Sequence, residues 1–258
     1  DMNIKLEHGE ASSPALHKNR LIINWDHEGQ SFIVALDTDT GKEIWRTERD
    51  ERTTWMTPIV VDAAGRDQVI TAGTNRVRSY NLETGELIWE DEGLTENAVP
   101  SPVAANGVAY LISGFRGNVL RAVNLAAAKG NISGTPSILW SYNQYTPYVP
   151  SPLLHDGLLY FLKNNSGVLT CLDASSGKPH YANQRLESVG STYSSPVGVL
   201  DRIYVLGRNG VTAVIRHGTE FNVLAVNTLD DKFDSSPAIA GDEIYLRGHN
   251  YLYCIAQE

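Results

Sequence analysis

The sequence predicts an all-β protein, a β-propeller of four-stranded antiparallel blades. Short apolar runs alternate with turns rich in Gly, Asn and Asp, which leaves almost no room for helices. The same set of runs also recurs at a nearly constant interval. Prolines that follow a small residue mark this repeat with spacings of 44, 44, 50, 44 and 41 residues, at Pro14, Pro58, Pro102, Pro152, Pro196 and Pro237.

Each repeat contains four predicted strands in a fixed order. A short apolar run after the proline ends in a polar turn, for example Asn106-Gly107, and a second run follows, such as residues 158–162. After another turn comes a third run, such as residues 33–37, and then a Gly-containing turn leads into a fourth strand. We expect one propeller domain, residues 1–258, with repeats at about 11–50, 54–94, 98–145, 148–188, 192–230 and 233–258.

The repeat assigns structural roles to small and aromatic residues. The third strand carries a small residue where neighbouring sheets approach, at Ala35, Ser79, Ala122, Cys171 and Cys254, with Val214 as the best match in the fifth repeat. We therefore expect both cysteines to be buried and unpaired, since equivalent positions in separate blades lie too far apart to bond. The fourth-strand tryptophans are expected to pack between blades rather than to hold a cofactor, at Trp45, Trp89 and Trp140.

Composition excludes several classes of function. The formal net charge is −9, which disfavours nucleic acid as a partner. No apolar run approaches the length of a membrane span, and two cysteines are too few for a disulfide framework or a cysteine-based zinc site. The first residues lack the basic and apolar regions of a signal peptide, so localisation is not readable from them. We expect a monomer.

Residues 35–45 read Ala-Leu-Asp-x-x-x-Gly-Lys-x-x-Trp, and residues 80–89 and 171–179 are similar. This pattern resembles the quinoprotein-type (PQQ-like) propeller repeat, in which the tryptophan closes each blade onto the next. Residues 24–32 and 230–237 carry a closer likeness to bacterial PQQ-binding-like repeat proteins and to the outer-membrane assembly propeller lipoprotein. The resemblance implies a periplasmic or secreted protein with eight blades, so that six repeats would be part of a propeller truncated at its N-terminal side.

The last repeat stops after its third strand, which leaves two alternatives for its outer strand. Residues 2–6 alternate like a strand and would complete a closed six-bladed ring by pairing with residues 251–256. The resemblance instead implies an open arc whose missing blades lie upstream, and we favour the arc.

The catalytic features of quinoprotein dehydrogenases are not evident in the sequence. The two cysteines are not adjacent, and no Glu, Asn and Asp set stands out as a calcium site. We therefore predict no cofactor, although the resemblance leaves PQQ open. The histidines are scattered and no metal site is predicted, since residues 37–41 read as a hairpin turn. The polar cluster Asp26-His27-Glu28 is either a cation site or, as we favour, a solvated loop.

The candidate binding surface lies on one face of the propeller. The connections into the innermost strands and the turns between second and third strands emerge on this face. Aromatic, Arg and Asn side chains there suit a protein, peptide or glycan, unless the aromatics merely plug the channel. The candidates are Trp55, Tyr148, Tyr193, Phe233, Arg76, Arg116, Asp26, His27, Glu28, Asn164, Arg208 and His249.

We predict a non-catalytic binding or assembly scaffold of the bacterial cell envelope, which uses this face. Two alternatives of other classes stay open. A PQQ-dependent or sugar oxidoreductase would hold its cofactor in the central funnel. A hydrolase or lyase would use funnel carboxylates, but no pair at suitable spacing is visible. We predict no catalytic residues.

Overall fold

The structure is a computed structural model that describes residues 2–256, and the chain forms two compact units, residues 1–143 and 144–258. The prediction of an all-β fold is confirmed. Within the described residues the only helical element is one 3-10 turn, Lys5–Glu7, and the strands form six sheets. No helix in residues 2–256 is long and apolar enough to cross a membrane.

The first unit contains three sheets, each built on four antiparallel strands in chain order. The first sheet comprises β1 (Ala15–His17), β2 (Arg20–Trp25), β3 (Ser31–Asp37) and β4 (Glu43–Arg49). The second comprises β5 (Ile59–Ala63), β6 (Arg66–Thr71), β7 (Arg76–Asn81) and β8 (Leu87–Glu92), with a fifth strand, β12 (Gly130–Asn131). The third comprises β9 (Val103–Ala105), β10 (Val108–Ser113), β11 (Val119–Asn124) and β13 (Ile138–Ser141).

The second unit contains two four-stranded sheets and one three-stranded sheet, again antiparallel and in chain order. The fourth sheet comprises β14 (Leu153–His155), β15 (Leu158–Leu162), β16 (Val168–Asp173) and β17 (Pro179–Arg185). The fifth comprises β18 (Val197–Val199), β19 (Arg202–Leu206), β20 (Val211–Arg216) and β21 (Val223–Thr228). The sixth comprises β22 (Ala238–Ala240), β23 (Glu243–Arg247) and β24 (Leu252–Ala256). Each sheet is a propeller blade whose strands fall within one predicted repeat, except that β12 of the second sheet comes from the third repeat.

The hydroxyl residue before the repeated proline ties neighbouring blades together. In the first unit the Ser13 N–H donates to Thr57 Oγ1 at 3.1 Å, and the Thr57 N–H donates to Ser101 Oγ at 3.0 Å. In the second unit the Ser195 N–H donates to Ser236 Oγ at 2.9 Å. The proline that follows has no N–H. The hydroxyl of the residue before it accepts from the backbone N–H of the equivalent residue in the preceding blade, which the sheet leaves unpaired.

An insertion explains the longest spacing between the repeated prolines. Before the fourth strand of the third blade, β12 pairs in parallel with β8 of the second blade. Ser133 then accepts a hydrogen bond from the Glu92 N–H and donates one to the buried Asp91 carboxylate at 2.8 Å. The extra residues therefore cover the outer edge of the second blade.

The core lies between neighbouring sheets within each unit. Trp45 and Trp89 are buried, as predicted, and the Trp45 indole N–H donates to the Leu82 carbonyl of the next blade at 2.8 Å. Trp140 is half-buried, with its ring 5.8 Å from that of Tyr110. Packing between neighbouring sheets thus buries apolar side chains from both.

The cysteines differ in exposure, although both are unpaired. Cys171 is buried as predicted, and burial raises the pKa of its thiol to about 12. The prediction that Cys254 is buried is wrong, because β24 pairs with β23 on one side and its outer side carries no further strand within residues 2–256.

Residues 2–6 do not form the strand that a closed six-bladed ring requires. They contain the start of the 3-10 turn, and the first unit holds them through contacts with its own loops. That alternative is therefore wrong. The eight-bladed arc and the single-domain organisation stay predictions.

Candidate functional site

In the second unit, two kinds of loop lie next to each other. The connections between blades contribute Tyr193 and Asp234, and the turns between second and third strands contribute Arg208 and His249. The Arg208 guanidinium carbon lies 4.2 Å from the centre of the Tyr193 ring. The Asp234 carboxylate accepts from Arg208 Nε at 2.5 Å and bonds His249 Nε2 at 3.0 Å. We call these four residues the loop cluster.

The loop cluster is open to solvent. Tyr193 is 38% exposed, the Arg208 and Asp234 side chains are each 40% exposed, and the His249 side chain is 52% exposed. The Asp234 and His249 side chains also border a cavity of about 580 Å³. A large aromatic ring with a guanidinium stacked on it is therefore presented at the surface.

The Arg208–Asp234 ion pair favours the charged forms of both of its side chains. The hydrogen bond from Arg208 holds the pKa of the Asp234 carboxyl below its usual range. The same bond raises the pKa of the Arg208 guanidinium. The ion pair therefore helps to hold the Arg208 guanidinium over the Tyr193 ring.

The remaining candidates of the second unit differ in accessibility. Asn164 is exposed in the left-handed conformation, with φ of 51°, and its carbonyl accepts from the Tyr148 N–H at 3.2 Å. Tyr148 is half-buried. Phe233 is fully buried against Leu206 and Leu246, so the prediction that it forms part of a contact surface is wrong.

The prediction that Asp26 lies at a contact surface is also wrong. Its side chain is fully buried and forms a two-point ion pair with Arg49, at 2.7 Å and 3.0 Å. It also accepts from Thr54 Oγ1 at 2.8 Å, and Arg49 bonds the Tyr80 hydroxyl of the next blade at 2.8 Å. The Asp26 carboxylate is therefore neither solvated, as predicted, nor accessible to a partner. Through Arg49 it links two blades.

An N-terminal segment, residues 2–9, bonds to the other candidates of the first blade, of which His27 is half-buried and Glu28 is exposed. The Asn3 N–H donates to His27 Nδ1 at 3.0 Å, and the Asn3 carbonyl accepts from the Glu28 N–H at 2.7 Å. The Glu28 carboxylate in turn accepts from Thr53 Oγ1 at 2.7 Å. The Trp55 indole N–H donates to the Gly9 carbonyl at 2.9 Å, and this ring is only 9% exposed. Trp55 is therefore not the accessible aromatic that the sequence predicted.

The two arginine candidates of the first unit lie at separate turns. Arg116 is the more open, with its side chain 72% exposed, 3.5 Å from Glu96 and over the Phe115 ring. The Arg76 side chain is 43% exposed and lies 3.9 Å from Glu90. Neither has an exposed aromatic partner of the Tyr193 kind in the contacts described.

Sequence reasoning missed the carboxylates that fasten each loop to the next blade. Glu51 accepts the backbone N–H groups of Asn75 and Arg76 at 3.0 Å and 3.1 Å, and burial raises the pKa of its carboxyl. Asp231 plays the same part for Asn250 and Tyr251. The sequence feature that marks these carboxylates is a glycine just after the second strand, Gly73 or Gly248. A Cβ at either position would overlap the carboxylate oxygens.

The described residues do not supply the donor set of a quinoprotein site. Residues 2–256 contain no group of three or more His, Cys, Asp or Glu side chains placed to hold a metal ion. Cys171 is enclosed in the apolar core of the second unit, and Cys254 lies exposed on β24. The adjacent cysteines and metal donors of the quinoprotein dehydrogenases are therefore not found among residues 2–256, and the absence of a cofactor stays a prediction.

Comparison with known proteins decides the family. The family described as outer membrane protein assembly factor BamB matches residues 11–258. The chain belongs to this BamB family. The BamB of Bordetella pertussis is 27% identical over 225 residues, which cover 82% of this chain and 54% of that protein. The BamB of Francisella tularensis is 25% identical over 227 residues, covering 82% of this chain and 45% of that protein. The chain thus spans about half the length of these relatives.

Solved structures show the same fold. The BamB crystal structure from Moraxella catarrhalis has a TM-score of 0.67 at 14% identity, covering 93% of this chain and 70% of that one. The designed protein Ika8 has a TM-score of 0.72 at 12% identity, covering 95% of this chain and 70% of that one. A europium-containing methanol dehydrogenase reaches 0.63 at 10% identity, covering 86% of this chain and 51% of that one. At such identities these likenesses concern the fold alone.

Proposed function

We propose that this chain is a non-catalytic scaffold that takes part in the assembly of outer-membrane proteins in the periplasm. Membership of the BamB family supports this role, because the relatives are outer membrane protein assembly factors. The loop cluster is the proposed contact surface for a protein partner. The observation that carries this assignment is the exposed Tyr193 ring with Arg208 stacked on it.

The geometry of the loop cluster suits protein recognition. Tyr and Arg dominate binding energy at protein interfaces, because both bury a large area and Arg adds directional donors. Within residues 2–256, the Arg208 side-chain hydrogen bond to Asp234 uses Nε. We propose that the two terminal amino groups of Arg208 donate hydrogen bonds to carboxylates or backbone carbonyls of a partner. The ion pair also limits the entropy that Arg208 loses on binding.

The residues of the loop cluster are better suited to binding than to catalysis. The Asp234 carboxyl has a lowered pKa and is held by two cationic or polar partners, so it is a weak general base. The oxidoreductase alternative is not favoured, because the cysteines are separated and the described residues offer no fitting metal donors.

A genetic replacement tests the proposal. The full-length gene of the source bacterium is replaced by one carrying both Tyr193→Ala and Arg208→Ala, and folded β-barrel proteins in the outer membrane are quantified. The matched control carries Leu200→Ala and Arg185→Ala, which also remove one exposed apolar residue and one exposed arginine, but outside the loop cluster.

We expect the loop-cluster variant to weaken partner binding by about tenfold or more, and to lower the amount of assembled outer-membrane protein at equal scaffold abundance. The control is expected to match the wild type. Normal assembly and normal partner binding by the loop-cluster variant would overturn the proposed contact surface.

A further inference from the structure

One blade lacks the aromatic residue that closes the gap to its neighbour. In each of the first four blades, the small residue of the third strand lies opposite an aromatic residue of the fourth strand. In the fifth blade the register places alanine at this position. The pairs are Ala35 with Trp45, Ser79 with Trp89, Ala122 with Trp140, Cys171 with Tyr181, and Val214 with Ala225.

In the first, second and fourth blades the aromatic residue packs against the next blade. Trp45 is 8% exposed and packs with Val69 and Tyr80 of the second blade. Tyr181 is also 8% exposed, and its ring meets that of Phe221 edge-on at 5.5 Å. Ala225, by contrast, is exposed. The fifth blade therefore leaves open the space that a ring fills beside the first, second and fourth blades.

A cavity of about 620 Å³ lies at this position, between the fifth and sixth blades of the second unit. Ala225, Val214 and Tyr204 line it from the fifth blade. Ile244 and Ile255 line it from the sixth blade, and they occupy the register positions that Val69 and Tyr80 hold opposite Trp45. The missing side chain thus leaves an apolar cleft whose size falls in the range of small-molecule sites.

Charged groups line one part of the cleft. Arg202 and Arg216 lie opposite each other in the β19–β20 register, and both contact the single carboxylate of Asp201, at 3.3 Å and 3.8 Å. All three residues belong to the cavity wall. Two guanidinium groups share one carboxylate, so one positive charge is left to pair with an anionic ligand.

We propose that this cleft, the Ala225 cleft, is a binding site for a small planar aromatic ligand that carries a carboxylate. The apolar walls take the ring, as cavities left by large-to-small replacement take benzene, and Arg202 and Arg216 take the carboxylate. A free small molecule fits better than a partner's side chain, because the cleft lies between two sheets and exceeds one ring in volume. This site is independent of the loop cluster.

Calorimetric titration of the purified chain with naphthylacetate, and with the uncharged naphthylacetamide of similar shape, tests the proposal. We expect naphthylacetate to bind with one-to-one stoichiometry and about tenfold more tightly than the amide, since a charge-assisted hydrogen bond adds to ring burial. Ala225→Trp restores the residue of the other blades, and it is expected to abolish binding of both compounds. Arg216→Gln is expected to remove the preference for the acid while leaving amide binding intact.

Two controls keep the test decisive. Arg185→Gln removes an exposed arginine from the fourth blade and is expected to change neither affinity. Ile255→Trp fills the cleft from the opposite wall, so the proposal stays testable when Ala225→Trp fails to fold. Equal binding to wild type and to the filled variants would overturn the proposal. So would capture of a tryptophan-containing peptide without binding of either free compound, which would assign the cleft to a protein partner.

Discussion

Equivalent loop positions of the first and second units differ in how accessible individual side chains are. In the first unit, residues 2–9 hydrogen-bond to His27 and to the backbone of Glu28, Trp55 is buried, and Asp26 is enclosed in a buried ion pair with Arg49. In the second unit, Arg208 and His249 occupy the corresponding turns and are exposed with Tyr193. Polar and aromatic residues at a loop end therefore do not by themselves form a binding surface. Exposure decides which set can meet a partner.

The largest expected effect comes from the two aspartate–arginine pairs. Asp26→Ala leaves Arg49 charged and buried, so we expect a loss of about 3–5 kcal/mol in the free energy of unfolding. Asp234→Ala breaks an exposed pair and is expected to cost less than about 1 kcal/mol. Urea unfolding of the two variants measures the difference. Equal losses would contradict the contrast between a buried structural pair and an exposed one.

The aromatic residues provide a second, smaller contrast. Trp55→Ala removes a buried ring and its hydrogen bond to Gly9, and we expect it to destabilise the fold by about 3 kcal/mol. Tyr193→Ala removes a ring that is 38% exposed and is expected to cost less than about 1 kcal/mol. Thermal unfolding compares them, with Leu200→Ala as a control for an exposed apolar residue. A larger loss for Tyr193→Ala would show that Tyr193, not Trp55, is structural.

The smallest expected effects are on pH dependence, where Glu51 and Asp234 have opposite signs. Burial raises the pKa of Glu51 in the folded state, so its contribution favours folding at low pH and is lost as pH rises through its folded pKa. The Arg208 bond lowers the pKa of Asp234, so its contribution is present above the unfolded pKa of about 3.9 and is lost as pH falls below it.

Unfolding curves of wild type, Glu51→Gln and Asp234→Asn between pH 3 and pH 7 measure these contributions. As pH rises, we expect the wild type to lose stability relative to Glu51→Gln. The difference between wild type and Asp234→Asn is expected to shrink toward acid pH, and only slightly, since this pair is exposed. Parallel profiles for both variants would contradict the assigned environments.

The sequence predicts local and repeated features well. Alternating apolar runs and Gly turns predict the strands, and the 44-residue spacing predicts that Ser13 and Thr57 are equivalent, which their hydrogen bond shows. Because the six copies are compared with one another, an atypical residue in one copy has little influence on the predicted strands. The substitution at Ala225 is visible in the sequence only after the register has aligned it with Trp45.

Predictions that depended on distant partners were less successful. Residues 2–6 alternate like a strand, yet Asn3 bonds His27 and Glu28 far along the chain. Phe233 lies in a polar segment but is buried by Leu206 and Leu246 of two separate strands. Asp26 is buried because Arg49 neutralises it. The environment of each of these residues depends on a partner distant in sequence, which no local sequence pattern predicts.

The central claim is that the loop cluster, rather than the loops of the first blade to which residues 2–9 bond, contacts a protein partner. Photocrosslinking tests it directly, with a photoreactive phenylalanine analogue placed at Tyr193 or at His27 of the full-length protein in the source bacterium. We predict crosslinks to an outer-membrane assembly protein from position Tyr193, reduced by Arg208→Ala, and none to that protein from His27. Crosslinks from His27 together with none from Tyr193 would contradict the account.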